Sequence, residues 1–370
     1  MHVFAPAPHL ASREALAALS VSDDMKPHRL TPTDALDAAA GMVLCQDVDV
    51  GGAKLAKGRV LGDADLAALR GGARPELHLI ELEPGDVHED AAGERLARAV
   101  PGEGVEARAP QQGHWPLAAT RRGLLEVSED ALRRANAVEG VCVYTLYDGQ
   151  VVDAGEIVAR AKVLPFAIAD DRLREAEAAA RDASGIVRVR PFAARTAGAV
   201  VQESLGARAQ QRFAETLGEK LAWFGATLMP PVLVAPESAA IAAALDRLVA
   251  RGADLLVLAG AKPMDPLDPS WQALDAFGVR VESFGVPAHP GSLLWIAWRG
   301  DVPLLGMPTC GVFAHATAFD VVLPRVLAGE RVTRAALQQL GHGGFLTAEM
   351  AFRFPAYRGA GSARGVLDTI

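Results

Sequence analysis

From Arg195 onward the chain alternates short apolar segments with longer amphipathic ones, and this alternation restricts the fold more than any other feature. After the strand-like AGAVVQ, for example, Phe213, Leu217 and Leu221 recur at helical spacing. Strands that alternate with amphipathic helices favour a mostly parallel sheet covered by helices on both faces. We therefore expect an α/β domain of three layers, α/β/α.

Within this domain the pattern predicts particular elements. Ser238 is expected to cap one helix, and a second helix is expected over Pro269–Phe277. A buried strand is predicted from Asp254 to Gly260, another at VPLLGM, and a last helix from Gly311 to Leu327.

The 370 residues suit two domains rather than one. Residues 28–190 are predicted to form a smaller, strand-rich mixed domain with helices near Asp63–Leu69 and Asp90–Val100. Residues 191–344 are predicted to form the α/β domain. Residues 1–27 and 345–370 lack sustained periodicity, so we expect them to be loosely held tails.

Composition excludes several classes of protein. The formal net charge is −8 and the basic residues do not cluster with aromatic ones, so a nucleic-acid partner is not expected. No apolar run reaches the ~20 residues of a membrane span, and the N-terminus lacks an export signal, so we expect a cytoplasmic protein with no membrane partner. Cys45, Cys142 and Cys310 are too scattered for a disulfide framework or structural zinc.

In open α/β sheets the ligand lies at the carboxyl ends of the strands, so the loops after them are the candidate site. The first loop runs from Gly260 to Asp268. Its small residues would let backbone N–H groups approach an anion, and the carboxylates of Asp265 and Asp268 could hold Mg²⁺ beside a phosphate. The alternative is that Asp268 only caps the helix that begins at Pro269.

The second loop, His289-Pro290-Gly291-Ser292, offers a hydroxyl and exposed backbone, although alone it is an ordinary turn. The third, Gly306-Met307-Pro308-Thr309-Cys310-Gly311, would place Thr309, Cys310 and helix N–H groups where a phosphate could bind. Two interpretations of Cys310 stay open: its thiol could be reactive, or it could only pack in the turn. Phosphate-loop, dinucleotide, hydrolase and zinc-protease signatures are absent from the sequence.

Taken in order, the three loops resemble the molybdopterin-binding domain of molybdopterin molybdenumtransferases, gephyrin and molybdopterin adenylyltransferases. Those families show G-G-x-S-x-G-x-x-D, then P-G-K-P, then G-L-P-G-N-P. Gly260 and Asp268 match the ends of the first motif and Pro290-Gly291 the start of the second, while Gly306, Pro308 and Val312 frame the third. LAKGRVL, LEPGDVHEDAA, VESFGVPAHPGSLL and PLLGMPTCG look closer to a divergent bacterial branch of molybdopterin-binding proteins, and the resemblance covers about residues 28–344.

The resemblance implies a transferase-like enzyme that binds molybdopterin, or adenylylated molybdopterin, and assists molybdenum insertion from molybdate with Mg²⁺. Asp268 would hold the metal with support from Asp265, and Lys262 would add a positive charge. The pyrophosphate and pterin would be cradled by loop residues, namely Gly260, Pro290, Gly291, Ser292, Gly306, Pro308, Thr309, Cys310 and Gly311. Relatives of this kind are commonly homodimers.

The motifs also depart from the family pattern. Ala261, Pro263 and Asp265 replace two Gly and a Ser of the first motif, and Ser292 replaces the Lys of the second. A second function therefore stays open, namely a non-catalytic carrier or sensor that hands molybdopterin to a molybdenum cofactor nucleotidyltransferase or a molybdoenzyme. A third is an unrelated α/β protein that uses the same turns structurally.

Overall fold

The computed structural model describes residues 26–71, 74–111, 113–202, 206–307, 316–355 and 357. These residues form two compact units. Unit 1 contains the described residues up to Ala118 together with Val127–Leu146 and Ile157–Arg188. Unit 2 contains Ala119–Glu126, Tyr147–Glu156 and the described residues from Val189 onward. The segments 119–126 and 147–156, which the sequence pattern placed with the N-terminal half, thus belong to unit 2.

The strands are, in chain order, β1 (Lys26–Leu30), β2 (Val43–Leu44), β3 (Val48–Val50), β4 (Ala53–Leu55), β5 (Leu77–Glu81), β6 (Asp86–His88), β7 (Val105–Ala107), β8 (Trp115–Ala119), β9 (Gly123–Val127), β10 (Val141–Thr145), β11 (Val151–Val152), β12 (Ile157–Val163), β13 (Ala167–Ala169), β14 (Val187–Arg190), β15 (Thr196–Val201), β16 (Thr227–Leu228), β17 (Val232–Leu233), β18 (Leu255–Ala259), β19 (Arg280–Phe284), β20 (Trp295–Arg299) and β21 (Val302–Met307).

The described α-helices are α1 (Asp63–Arg70), α2 (Glu89–Ala99), α3 (Glu129–Asn136), α4 (Asp170–Asp182), α5 (Ala207–Trp223), α6 (Ser238–Ala250), α7 (Pro269–Phe277), α8 (Ala318–Leu327) and α9 (Arg334–Gln339), and 3-10 turns span Leu36–Ala39 and Ala348–Arg353.

Unit 1 contains small sheets, including β1-β5-β2 and β10-β12-β8-β7. The pairings of β5 with β1 and β2, and of β12 with β10 and β8, are antiparallel. Helices α1 and α2 lie within a residue of the predicted positions. Helices α3 and α4 were not predicted, and β1 begins at Lys26, so the predicted boundary between tail and domain at residue 28 is too late. One core of this unit packs Leu44, Leu66, Leu69, Leu77 and Leu79 together.

Unit 2 contains a seven-stranded sheet of order β16-β15-β18-β21-β20-β19, with β17 also paired to β15. The pairings of β15 with β16, β17 and β18, and of β18 with β21, are parallel. β20 runs antiparallel to both of its neighbours, β21 and β19. The sheet is therefore mixed, with a parallel centre and an antiparallel side that the sequence pattern did not show.

Alternate residues of β18 point to two different cores. Leu255 and Val257 join a cluster with Phe213 of α5 and Phe319 of α8. Leu256 and Leu258 join a second cluster that contains residues of α6 and α7. Because successive strand residues face opposite sides of a sheet, helices cover both faces of β18.

Several predicted element boundaries hold and others do not. Helix α7 and strand β21 have the predicted limits. Ser238 is the first helical residue of α6 rather than its cap, which is Glu237. Of the helix predicted from Gly311 to Leu327, residues 311–315 lie outside the described residues, residues 316 and 317 are not helical, and α8 spans Ala318–Leu327. None of the helices that the structure describes combines the length and the apolar character of a membrane span.

The segment after residue 344 is not a tail as far as the structure describes it. Leu346 and Phe354 are buried in the core that also holds α5 and α8, and Tyr357 packs against that core. The prediction of a loosely held end therefore fails for residues 345–355 and 357, because three apolar side chains in an irregular segment anchor it without any periodic pattern.

Candidate functional site

The carboxyl ends of three neighbouring strands in unit 2 lie at one level. In the register of the sheet, Val201 of β15 is opposite Ala259 of β18, which is opposite Met307 of β21. The backbone N–H of Gln202 donates to the carbonyl of Ala259 (3.1 Å), and that of Gly260 donates to the carbonyl of Met307 (3.0 Å). The first predicted loop therefore leaves the sheet directly between the chain ends that follow β15 and β21.

The strand that precedes the second loop ends at the same edge. Because β19 and β21 both run antiparallel to β20, β19 ends at the edge where β21 ends. Phe284, the last residue of β19, is opposite Trp295, and Trp295 is opposite Gly306. The sheet thus brings the starts of the first and third predicted loops, and the end of the strand that precedes the second, to one edge. Pro308, Thr309, Cys310 and Gly311 of the third loop lie outside the described residues.

Asp268 is the most buried charged residue of the first loop, with 5% of its surface exposed. It is the N-cap of α7: its Oδ1 accepts a hydrogen bond from the Ser270 N–H (2.9 Å) and another from the Ser270 hydroxyl. Its Oδ2 accepts from the Lys262 N–H (2.9 Å). The capping role foreseen as the alternative is therefore confirmed, and it leaves Oδ2 with one described hydrogen bond.

The same contacts set the charge of Asp268. Burial raises the pKa of its carboxyl, but hydrogen bonds from Ser270, Lys262 N–H and Gln202 outweigh the effect of burial, and the net pKa is lowered. Asp268 is therefore a carboxylate at neutral pH.

Gln202 was not predicted as a site residue. Its side chain, in a residue only 4% exposed, donates from Nε2 to Asp268 Oδ1 (3.3 Å) and to Ser270 Oγ (3.2 Å). Its Oε1 is buried and has no hydrogen-bond partner in the described part of the protein. The sequence held one signal for it, since Gln202 is the first polar residue after the apolar strand AGAVV and so stands at the edge where ligands bind.

Asp265 and Lys262 lie on the exposed side of the first loop. Asp265 closes a turn, because its N–H donates to the Lys262 carbonyl (2.9 Å) and its Oδ1 accepts from the Leu267 N–H (2.9 Å). Both side chains are exposed, so they are accessible to a ligand arriving at this edge. Within the described residues, no group of three or more His, Cys, Asp or Glu side chains is arranged to hold a metal ion.

The second loop is tied to the start of α8. The His289–Pro290 peptide bond is cis, and the Pro290 carbonyl accepts a hydrogen bond from the Ala318 N–H (2.9 Å). Gly291 has φ +103°, and a Cβ there would lie 2.8 Å from the Ala318 nitrogen. This glycine is therefore required for packing against α8. Ser292 is exposed and accepts a backbone hydrogen bond from Val286 (3.0 Å).

Gly306 has a structural reason to be glycine. A Cβ at this position would lie 1.9 Å from the indole ring of Trp295, which is fully buried. The residue thus makes room for a tryptophan on the neighbouring strand. Gly260, by contrast, has φ +88° at the point where the chain leaves β18, a conformation that other residues rarely adopt.

A buried ionic cluster lies elsewhere in the same unit. Lys220 of α5 and Asp320 of α8 form an ion pair, and the Tyr357 hydroxyl donates to Asp320 Oδ1 (2.9 Å). Thr317 donates to Asp320 Oδ2 from its N–H (3.0 Å) and its hydroxyl (2.9 Å). Burial raises the pKa of Asp320 although these partners favour its charged form, and burial beside Asp320 holds the pKa of Tyr357 well above its usual value.

Comparison with known proteins gives only distant likenesses. No protein-family model matches the chain, and no curated protein matches it. Among solved structures it is similar to the molybdopterin biosynthesis MoeA protein from Pyrococcus horikosii, with TM-score 0.28 and 13% identity over 69% of this chain and 81% of that one. It is also similar to a candidate molybdenum cofactor biosynthesis protein from Corynebacterium diphtheriae, with TM-score 0.22 and 12% identity over 41% of this chain and 99% of that one. Scores this low do not establish a shared fold, and the identities are too low to transfer a function.

Proposed function

We propose that the chain acts in molybdenum cofactor biosynthesis by binding molybdopterin, or its adenylylated form, at the carboxyl edge of the unit 2 sheet, and that it assists molybdenum insertion there. One observation carries the proposal. The order of three loops along the chain resembles the molybdopterin-binding motifs. The sheet brings the starts of the first and third of these loops, Gly260 and Gly306, to the edge where the strand before the second loop also ends.

The residues at this edge suit an anionic ligand with a metal ion. Asp268 is ionised and keeps acceptor capacity on Oδ2, and Mg²⁺ is typically held by one or two carboxylates together with substrate phosphates. Bound Mg²⁺ would supply positive charge to the phosphates. Asp265 would support Asp268 in holding the metal ion. The Lys262 ammonium would contact the phosphates from the exposed side, with Gly260 and the Ser292 hydroxyl as further contacts.

A second candidate function is a carrier or sensor that binds the cofactor without transferring metal. It is favoured by the commitment of Asp268 to capping α7, where Oδ1 already accepts three hydrogen bonds. A carboxylate used in this way holds the loop in shape whether or not a metal is present. The partner that would receive the cofactor in this case is a nucleotidyltransferase or a molybdoenzyme.

Calorimetric titration of the full chain with molybdopterin and with adenylylated molybdopterin, with and without Mg²⁺, tests the proposal. The matched variants are Asp268→Asn, which keeps an oxygen to cap α7 but loses the charge, and Asp268→Ala, which loses both. If the chain is an enzyme, we expect micromolar or tighter binding that requires Mg²⁺ and that both variants weaken about equally. If the chain is a carrier, we expect tight binding whose affinity does not depend on Mg²⁺ and is unchanged in Asp268→Asn. If neither ligand binds the unmodified chain, the pterin assignment is wrong.

A further inference from the structure

The Gln202 side chain carries a buried hydrogen-bond acceptor that nothing in the described protein satisfies. Only 4% of the surface of Gln202 is exposed, and its Oε1 has no hydrogen-bond partner among the residues that the structure describes. Leaving such an acceptor unpaired costs about 1–3 kcal/mol, so buried polar atoms are almost always paired. An unpaired oxygen at the edge where β15 and β18 end therefore calls for a functional explanation.

Rotating the amide cannot remove the problem. The Asp268 carboxylate is ionised and can only accept hydrogen bonds, so the group that faces it must be the NH₂ of Gln202. Exchanging the two ends of the amide would place Oε1 against a negative oxygen. Asp268 and Ser270 together thus fix the amide so that its NH₂ faces the start of α7 and its oxygen points away from these two residues.

The position of Gln202 relates this oxygen to the proposed ligand site. The residue directly follows β15, and its own N–H is bonded to Ala259, the last residue of β18. Gly260, the next residue after β18, opens the first loop. Gln202 therefore stands where the neighbouring parallel strands β15 and β18 end, and its fixed amide is beside the carboxylate that the proposed function uses.

We infer that Gln202 Oε1 determines specificity by accepting a hydrogen bond from a planar heterocycle. The donor would be the amino edge of a 2-aminopyrimidinone ring such as that of a pterin. This inference rests on the proposed function, because the pterin supplies the ring. An acceptor held in place before binding selects a ligand that presents a donor and rejects one that presents an oxygen. Gln202 would thus recognise the ring, whereas Asp268 and the loops act on the phosphates.

The test compares Gln202→Leu, which has a similar shape but no acceptor, with Ser270→Ala, which disturbs the same Asp268 network and leaves Oε1 in place. Molybdopterin affinity of each full-length variant is measured by calorimetry. Gln202→Leu is expected to weaken binding about tenfold or more, as loss of a buried hydrogen bond implies, while Ser270→Ala changes it much less. Equal effects of the two variants would overturn the inference, because they would show a role through Asp268 only.

Two further measurements identify the group that Oε1 contacts. A pterin should compete with molybdopterin better than the matching lumazine, which carries an oxygen where the pterin carries its amino group, and Gln202→Leu should remove that preference. Thermal unfolding of the free chain should show similar stability for Gln202→Leu and Ser270→Ala, since each removes hydrogen bonds of the Asp268 network and the unpaired Oε1 contributes nothing to the free protein. If the unmodified chain binds molybdopterin but does not distinguish pterin from lumazine, the inference fails and the proposed function stands. If the effect of Gln202→Leu appears only with Mg²⁺, the oxygen contacts the cation and the inference is again wrong. If molybdopterin does not bind the unmodified chain at all, both fail.

Discussion

The Lys220 ammonium lies 2.7 Å from Asp320 Oδ1 in the interior of unit 2, where the two side chains are 3% and 0% exposed. The two residues are a hundred positions apart in sequence, on α5 and α8. Tyr357 joins them from the C-terminal segment, with its ring 5.2 Å from the Lys220 nitrogen. One buried carboxylate therefore connects two helices and the end of the described chain.

Removing the positive member of this pair is expected to be costly. Lys220→Met leaves Asp320 buried without its counter-charge, and loss of one partner of a buried pair typically costs about 3–5 kcal/mol at neutral pH. Urea unfolding measures the loss. The double variant Lys220→Met/Asp320→Leu, which removes both charges, should recover much of the stability. A Lys220→Met chain as stable as the unmodified protein would show that the pair carries no such energy.

The stability of the Lys220→Met variant should depend on pH, and the sign of this dependence follows from the pKa of Asp320. Without Lys220, burial dominates and holds the pKa of Asp320 further above its unfolded value. A raised pKa in the folded state means that stability is fully present at low pH and is lost as the pH rises through the folded pKa. The deficit of Lys220→Met should therefore be small near pH 4 and grow toward pH 7, as followed by thermal unfolding across that range. A deficit independent of pH would mean that lost packing, and not charge, is responsible.

Unit 1 should respond to pH in the opposite direction. Hydrogen bonds from Arg95 lower the pKa of both Glu177 and Asp170. A group whose pKa is lowered in the folded state stabilises the folded protein at a pH above its unfolded pKa, which is 4.5 for Glu177. That stability is lost as the pH falls below this value. Arg95→Met should lower stability at neutral pH and flatten acid unfolding between about pH 5 and pH 2. Arg98→Met is the control, because among the described residues Arg98 forms its ion pair with Glu94, one turn earlier on the same helix. Equal acid profiles for the two variants would contradict this.

Replacing Gly306 should destabilise the sheet for a steric reason. The new Cβ of Gly306→Ala would fall inside the indole of Trp295, and overpacking a core typically costs about 1–3 kcal/mol. Thermal unfolding measures the cost. A second substitution, Trp295→Leu, makes space, so Gly306→Ala should cost much less on that background. If Gly306→Ala unfolds at the same temperature as the unmodified protein but no longer binds ligand, the glycine is needed for the ligand rather than for packing against the tryptophan.

The two Asp268 variants should also differ in stability without any ligand. Asp268→Ala removes the N-cap of α7 and the acceptor for Lys262 N–H, and loss of an N-cap costs about 0.5–2 kcal/mol. Asp268→Asn keeps the oxygen that Ser270 N–H needs and should lose less. Chemical unfolding of the free variants shows the order. If Asp268→Asn is the less stable of the two, the charge rather than the cap supports the loop.

Local patterns predicted some of these features and could not predict others. Asp268-Pro269 and Gly278 mark both ends of α7 in the sequence, and the structure confirms them. Thr317 with Asp320 three residues later is an equally local signal for the start of α8, and the prediction from Gly311 missed it. The acidic first turns and basic last turns of α3 and α4 were also legible in the sequence.

The remaining features depend on partners distant in the chain. Gly306 resembles a glycine kept for a ligand until Trp295 is placed beside it by an antiparallel strand. Lys220 resembles a solvated lysine of an amphipathic helix, because only the fold brings Asp320 to it. The free oxygen of Gln202 becomes visible only once Asp268 and Ser270 are seen to hold the amide.

The hydrogen bond from Ala318 to the Pro290 carbonyl has a thermodynamic consequence for recognition. It joins the second loop to the first turn of α8, and Gly291 lets the two backbones pack in contact. Two independent loops would each lose conformational entropy on closing around a ligand. A loop already fastened to a helix has lost that entropy during folding, so a ligand that touches the second loop meets a preorganised surface and keeps more of its contact energy as affinity.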